Sequence, residues 1–321
     1  MQTQTNTSTG STAQVHGLHH ITAIAGDPQE NLDFYTAVLG LRLVKKSINQ
    51  DAPDTYHLFF ADRDGNPGTD LTFFPWPAMS PARPGAGMAT EVTFAIPKGS
   101  FAYWENRLEE AGISVEKKQR FGDTHLVFKD PHGLGLALTE SDDEREVQAW
   151  EKSPVPPLRQ LRGMHNVRFQ VRELKFTAQL LTDILGFSRL GEEHGWVRFG
   201  VEGGTSGKLV EVKADKSLSL GRWGTGGIHH IAWRVADTDE EMNVREKVMR
   251  LGLSPSPQID RFWFKSVYFK EPGGVLFELA TDGPGFARDE DPEKLGETLI
   301  LPPWYESKRA QIEAGLPELK H

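Results

Sequence analysis

The chain has 321 residues, is 38% hydrophobic and 25% charged, and carries a formal net charge of −9. That length suits two domains with sizeable cores, and the acidic balance excludes the basic face that nucleic-acid binding requires. Without cysteine there is no disulfide framework and no thiolate metal site, and no apolar run approaches the ~18–20 residues that span a bilayer.

Residues 1–15 are rich in Thr, Ser and Gln and lack the features of a secretion signal. They are expected to form a disordered tail, with the cytoplasm as the default location. Four segments with one grammar follow: a short strand, a helix, a Gly stop, then two or three strands. The first predicts a strand at Ile21–Ala25 and a helix opened by Asp27 as N-cap, Pro28 at the first position and Glu30 completing a capping box. Leu32, Tyr35 and Leu39 form its apolar stripe and Gly40 ends it. Strands are expected over 41–48, 56–61 and 70–74, with Asn66-Pro67-Gly68 as a turn.

The second segment predicts a strand over 91–96, a helix from Ser100 and strands over 115–119, 124–129 and 134–139. A charged, Pro-containing stretch (Pro154, Pro156, Pro157) reads as a linker. The third begins at His165-Asn166-Val167, with a helix over 174–185 and strands over 196–199 and 208–212. The fourth starts at Gly227, with a helix over 239–251 and strands over 266–270 and 275–280. The expected boundaries are an N-terminal domain 16–145, a linker 146–162, a C-terminal domain 163–282 and an extension 283–321 ending in a short helix near Tyr305. Such a repeat predicts an α+β fold of four βαβββ modules in two tandem domains, with curved mixed sheets enclosing a site.

Two phrases recur 210 residues apart, Leu18-His19-His20-Ile21 and Ile228-His229-His230-Ile231. Aligning the modules puts His20, Glu91, Asn166 and His230 at the start of each first strand. Counting from each turn puts Phe73, Ala137, Glu211 and Glu278 in each last strand. Modules one and four thus supply His20, His230 and Glu278, with Phe73 in the fourth slot. Two imidazoles and a carboxylate form the facial triad of non-haem Fe(II) oxygenases, with open coordination positions beside it. Strand alternation puts His19 and His229 on the opposite face from His20 and His230.

Tyr56-His57-Leu58-Phe59-Phe60, Phe73-Phe74-Pro75-Trp76 and Gly273-Gly274-Val275-Leu276-Phe277-Glu278, together with the His-His phrases, resemble the vicinal-oxygen-chelate superfamily. Within it they are similar to the ring-cleaving dioxygenases that open hydroquinones. The resemblance covers nearly all of the chain after residue 16. It implies vicinal-oxygen-chelate domains, a metal held by His20, His230 and Glu278, and Fe(II) as that metal, a ligand set Mn(II) also accepts. It further implies Arg261 as anchor of the substrate oxyanion and Tyr268 as hydrogen-bond donor or acid/base. Thr22 becomes a pocket threonine, and His19 or His229 a proton relay beside the ligands. The substrate would be a small aromatic diphenol with O2, and Phe73 and Trp263 would wall the pocket.

His57, His125, His165 and His194 read as structural, His132 as solvated, and His16 as terminal. Glu91 and Glu211 read as hydrogen-bonding carboxylates, and the runs 142–146 and 289–293 as solvated surface. Exposed sheet edges and the long C-terminal wrap imply a homo-oligomer, with no nucleic-acid or membrane partner. Two alternatives stand on the same scaffold: a glyoxalase-type isomerase or lyase, which completes four protein ligands, and a small-aromatic binding protein without a metal.

Overall fold

The computed structural model describes residues 14–142, 145 and 147–320. Residues 1–13 of the expected tail over 1–15 and part of the 142–146 charge run lie outside the described residues; Val15, expected in that tail, is instead buried, its N–H donating to the Leu185 carbonyl at 3.3 Å. Module one comprises β1 (Leu18–Ala25), α1 (Pro28–Asp33), β2 (Arg42–Asn49), β3 (Ala52–Ala61) and β4 (Asp70–Pro75). Module two comprises β5 (Met88–Ile96), α2 (Phe101–Glu110), β6 (Glu116–Arg120), β7 (Asp123–Lys129) and β8 (Gly135–Glu140). Module three comprises β9 (Met164–Val171), α3 (Leu174–Gln179), β10 (Ser188–Glu193), β11 (Trp196–Gly200) and β12 (Leu209–Ala214). Module four comprises β13 (Ile228–Val235), α4 (Thr238–Arg250), β14 (Ile259–Asp260), β15 (Lys265–Lys270) and β16 (Leu276–Thr281). A short α5 (Arg309–Gly315) lies near the C-terminus, and no described helix is long and apolar enough to cross a membrane.

Local chemistry explains the first helix. The Asp27 carboxylate accepts the Glu30 N–H at 2.8 Å, and Pro28 opens α1 with its fixed φ. Gly40 ends the segment at φ +71°, where a Cβ would lie 2.5 Å from Val155. Glu30 departs from the expected capping box, its carboxylate lying 3.0 Å from the His132 ring. His132, expected to be solvated, is accordingly only 7% exposed in its side chain. Strands β10 and β14 were not expected; β10 is polar along most of its length and β14 has two residues, so neither carries a clear alternation.

Modules pair across the chain. At the centre of one sheet β1 runs antiparallel to β13, and each lies parallel to the last strand of its own module, β4 or β16. The order is β14-β15-β16-β13-β1-β4-β3-β2, so modules one and four share a sheet. Modules two and three form the other, β10-β11-β12-β9-β5-β8-β7-β6. Strand alternation gives each sheet an apolar face under the helices, carrying Ile21, Ala23, Leu71 and Phe73 in module one. The opposite, concave face receives His20 and Thr22.

The central pairing of the first sheet is interrupted twice. Leu18 opposes Trp233 but His20 opposes Ala232, and Thr22 opposes His230 but Ala23 opposes Ile228. The extra residue at these two bulges is the first histidine of each pair. Bulges re-aim side chains beside functional sites, which corrects the expectation that His19 and His229 lie opposite their neighbours. Their Nδ1 atoms lie 2.9 and 2.8 Å from Nδ1 of His20 and His230.

Candidate metal centre

Three side chains from three central strands meet on the concave face. Nε2 of His20 lies 3.3 Å from Nε2 of His230, and Oε2 of Glu278 lies 3.3 and 2.8 Å from those two nitrogens. All three residues are buried, and among the described residues this is the one His/Asp/Glu cluster with ligand atoms all within 4.8 Å. Oε2 of Glu278 makes no hydrogen bond despite these neighbours. A buried carboxylate oxygen facing two imidazole nitrogens without a bond suits a divalent cation between them. Burial pushes the Glu278 carboxyl up, but His20 and His230 outweigh it and hold it well below the usual range. Ser266 orients the other oxygen, donating to Oε1 at 2.5 Å.

The bulged histidines brace the rings of their neighbours. Nε2 of His19 lies 3.1 Å from the Thr281 carbonyl, which can only accept, so Nε2 carries the proton. Burial, then His20, lowers His19 to about 3, so its ring is neutral near pH 7 and Nδ1 is bare. Nδ1 therefore accepts from Nδ1–H of His20, which turns Nε2 of His20 toward Glu278. His229, lowered to about 3 by burial and then His230, meets His230 the same way, Nδ1 to Nδ1. Its ring stacks on Trp223 with centroids 4.5 Å apart.

Beside the cluster lies a narrow pocket, lined among others by His57, Phe59, Phe74, Arg261, Trp263 and Tyr268. Arg261 and Tyr268 are brought together as expected, the guanidinium carbon lying 5.3 Å from the Tyr268 ring centroid. The Arg261 guanidinium pairs with Asp51 at 2.8 Å, and its carbonyl accepts from Gln50. Burial, with Glu278 adding, pushes the Tyr268 hydroxyl well up. Thr22 is buried and reaches the pocket indirectly: its hydroxyl lies 2.7 Å from that of Thr72, which lies 2.8 Å from Nε2 of His57.

Two expectations are overturned. Phe73 is neither in the fourth slot nor in the pocket; it packs beneath the turn that follows α1, with its centroid 4.6 Å from Tyr35. The residue in register with Glu278 is Thr72: Ala232 opposes Glu278 as Thr22 opposes Thr72. Counting four residues from the positive-φ glycine of each turn (Gly68, Gly133, Gly207, Gly274) gives Thr72, Ala137, Glu211 and Glu278. That glycine is the fixed point, and a one-residue slip changes the face. Second, His57 lines the pocket, and burial, then His20 and His230, lowers it well below its ordinary value. Its signal was available: two residues before Phe59, it shares the concave face.

The glyoxalase/bleomycin resistance protein/dioxygenase superfamily model matches residues 17–138 and 163–279. MhqO of Bacillus subtilis (strain 168), named as a candidate ring-cleaving dioxygenase, is 43% identical over 300 residues, covering 94% of this chain and 95% of that protein. The chlorohydroquinone/hydroquinone 1,2-dioxygenase of Sphingobium indicum is 33% identical over 306 residues, covering 93% and 95%. A crystal structure of a candidate dioxygenase from Bacillus subtilis superposes with TM-score 0.92 at 42% identity, covering 96% of this chain and 98% of that one. Glyoxalase I from Zea mays, at TM-score 0.61 and 14% identity, covers 83% of this chain and 92% of that one and shares the fold.

Proposed function

We propose that this chain, which belongs to the glyoxalase/bleomycin resistance protein/dioxygenase superfamily, is a ring-cleaving dioxygenase that opens a substituted hydroquinone or related diphenol with O2. The observation that carries this reading is the buried His20–His230–Glu278 cluster opening onto an aromatic-walled pocket, in a chain whose relatives are named for ring cleavage. Fe(II), or Mn(II) on the same donors, would bring the O2 and diphenol chemistry of a facial triad with open positions. Both oxygen atoms enter the product and no external reductant is consumed.

The chain's own residues position the ring and its protons. Tyr268 stays protonated at working pH and donates its O–H to a ring oxygen. Arg261 balances the charge of an ionised diphenol oxygen, exchanging Asp51 for it. Phe59, Phe74, Trp263 and Phe264 exclude water from the ring. The Thr22–Thr72–His57 chain holds a hydroxyl proton beside the pocket, and His57, neutral, can accept it at Nε2. His19 and His229 hold the rings of His20 and His230 through their Nδ1 atoms; with Nε2 committed to Thr281, His19 orients rather than relays.

A four-ligand isomerase needs another donor in the fourth slot. Thr72 stands there, its hydroxyl engaged by Thr22 and His57. The test is anaerobic purification, metal analysis and O2 uptake with methylhydroquinone and with catechol. About one iron per chain and uptake matched to ring loss support the proposal. An Fe(II)-reconstituted protein that consumes no O2 with either diphenol sinks it.

A further inference from the structure

The C-terminal extension supplies no residue to the metal cluster, yet it closes the concave face beside it. The Phe286 ring lies 5.1 Å from Phe59 and 6.3 Å from Trp263, and both backed residues line the pocket. The Trp263 indole N–H donates to the Asp289 carboxylate, with oxygens at 3.1 and 3.2 Å. Asp289 is held in turn by the Lys45 ammonium at 2.8 Å. That ammonium also donates to the Phe286 carbonyl at 3.0 Å, pairs with Glu290, and lies 5.1 Å from the Trp263 ring centroid.

Lys45 is completely buried on β2. Burying an ammonium and its carboxylates costs several kcal/mol of desolvation that an aliphatic side chain would avoid. Acidic residues 289–290, expected to be solvated surface, instead turn their carboxylates inward onto Lys45, with 19% and 6% of their side chains exposed. What the trio achieves is directional: an indole pinned at its N–H cannot turn about its side-chain torsions without breaking its bond to Asp289. Phe286 blocks its retreat.

We propose that Asp289, held by Lys45, is a positioning residue that locks the Trp263 indole as the pocket wall and so determines which ring substituents the site admits. This assignment rests on the diphenol reading of the same pocket. A locked wall favours small substituents; a freed indole yields to bulky ones.

Fe(II)-reconstituted protein is titrated calorimetrically under nitrogen with methylhydroquinone and with tert-butylhydroquinone, so binding is read without turnover. In Asp289→Ala the ratio of the two Kd values should shift toward the bulkier ring by about fivefold or more. Glu290 still pairs with Lys45 in that variant, so the ammonium keeps a counter-charge. Trp263→Phe, which keeps a ring but loses the N–H, should shift the ratio in the same direction. The double variant should shift it no further, because both changes break one link. An unchanged ratio in either single variant, or additive shifts in the double, would overturn the role of Asp289. Should Asp289→Ala fail to fold, Trp263→Phe decides alone. Unmodified protein that binds neither diphenol overturns the diphenol reading itself.

Discussion

The two sheets are built on one plan and treat their central carboxylate in opposite ways. In the first, Ala232 lies beside Glu278 on the parallel strand and Tyr268 opposes it from β15. In the second, the same two places around Glu211 hold Arg168 and Arg198. Both guanidiniums pair with Glu211, at 2.8 and 2.7 Å, and Asn166, standing where His230 does, donates to it at 2.9 Å. Glu91, in the place of His20, is paired with Arg120. Even the pocket histidine has its counterpart, Tyr56-His57-Leu58 matching Thr124-His125-Leu126. His125 is pulled down to about 2 by burial and then by Arg120. A buried carboxylate needs positive charge nearby. The second sheet supplies it from two arginine side chains; the first leaves its carboxylate facing two imidazoles beside a pocket.

The largest effect should come from breaking the open site. His230→Ala removes one of three donors, so metal content should fall well below stoichiometry and kcat/KM by more than about 10³-fold; full metal retention would refute the ligand assignment. Next is the arginine-paired site. Glu211→Ala leaves Arg168 and Arg198 buried without their counter-charge, so denaturant unfolding should show a loss of about 3–5 kcal/mol, with metal content unchanged. A stability within error of the parent would show that the ion pairs are dispensable.

The comparison can also be sharpened by filling the first sheet's fourth slot. Thr72→Glu offers a carboxylate in register with Glu278; metal should be retained while O2 uptake falls about 10- to 100-fold as an open position is lost. Unchanged uptake would mean Thr72 is not in the slot. The smallest effect lies at the seam between the halves, where His16 pairs with Glu202 at 2.5 Å and Glu240 at 2.9 Å. Burial lowers His16, but the two carboxylates outweigh it and raise its pKa above the ordinary 6.5. A raised histidine contributes stability that is complete below about pH 6.5 and lost as pH rises through its folded value. The contribution should stay under about 1 kcal/mol, because the pair is partly exposed. Equal slopes of stability against pH from 6 to 8 in parent and His16→Ala would remove it.

Much of this was legible along the chain because it is local and repeated. Four modules, their helix caps and their apolar alternation follow from short-range propensities, and the repeated His-His phrase with Glu278 marks a candidate ligand set by chemistry, repeat position and family resemblance. The misses share a different cause. Thr72 rather than Phe73 depends on where a turn's glycine sets the register. The bulges that turn His19 and His229 toward the ligands are a property of strand pairing, invisible in one strand. His57, Asp289 and Lys45 acquire their roles only from partners brought together by the sheet and the C-terminal extension, as with Lys45 and Asp289, 244 residues apart. Sequence by itself determined the repeat, its elements and the donor types. Tertiary structure alone decided that Glu211 faces two arginines and that Asp289 turns in against Lys45, because burial and charge balance are set by neighbours distant in the chain.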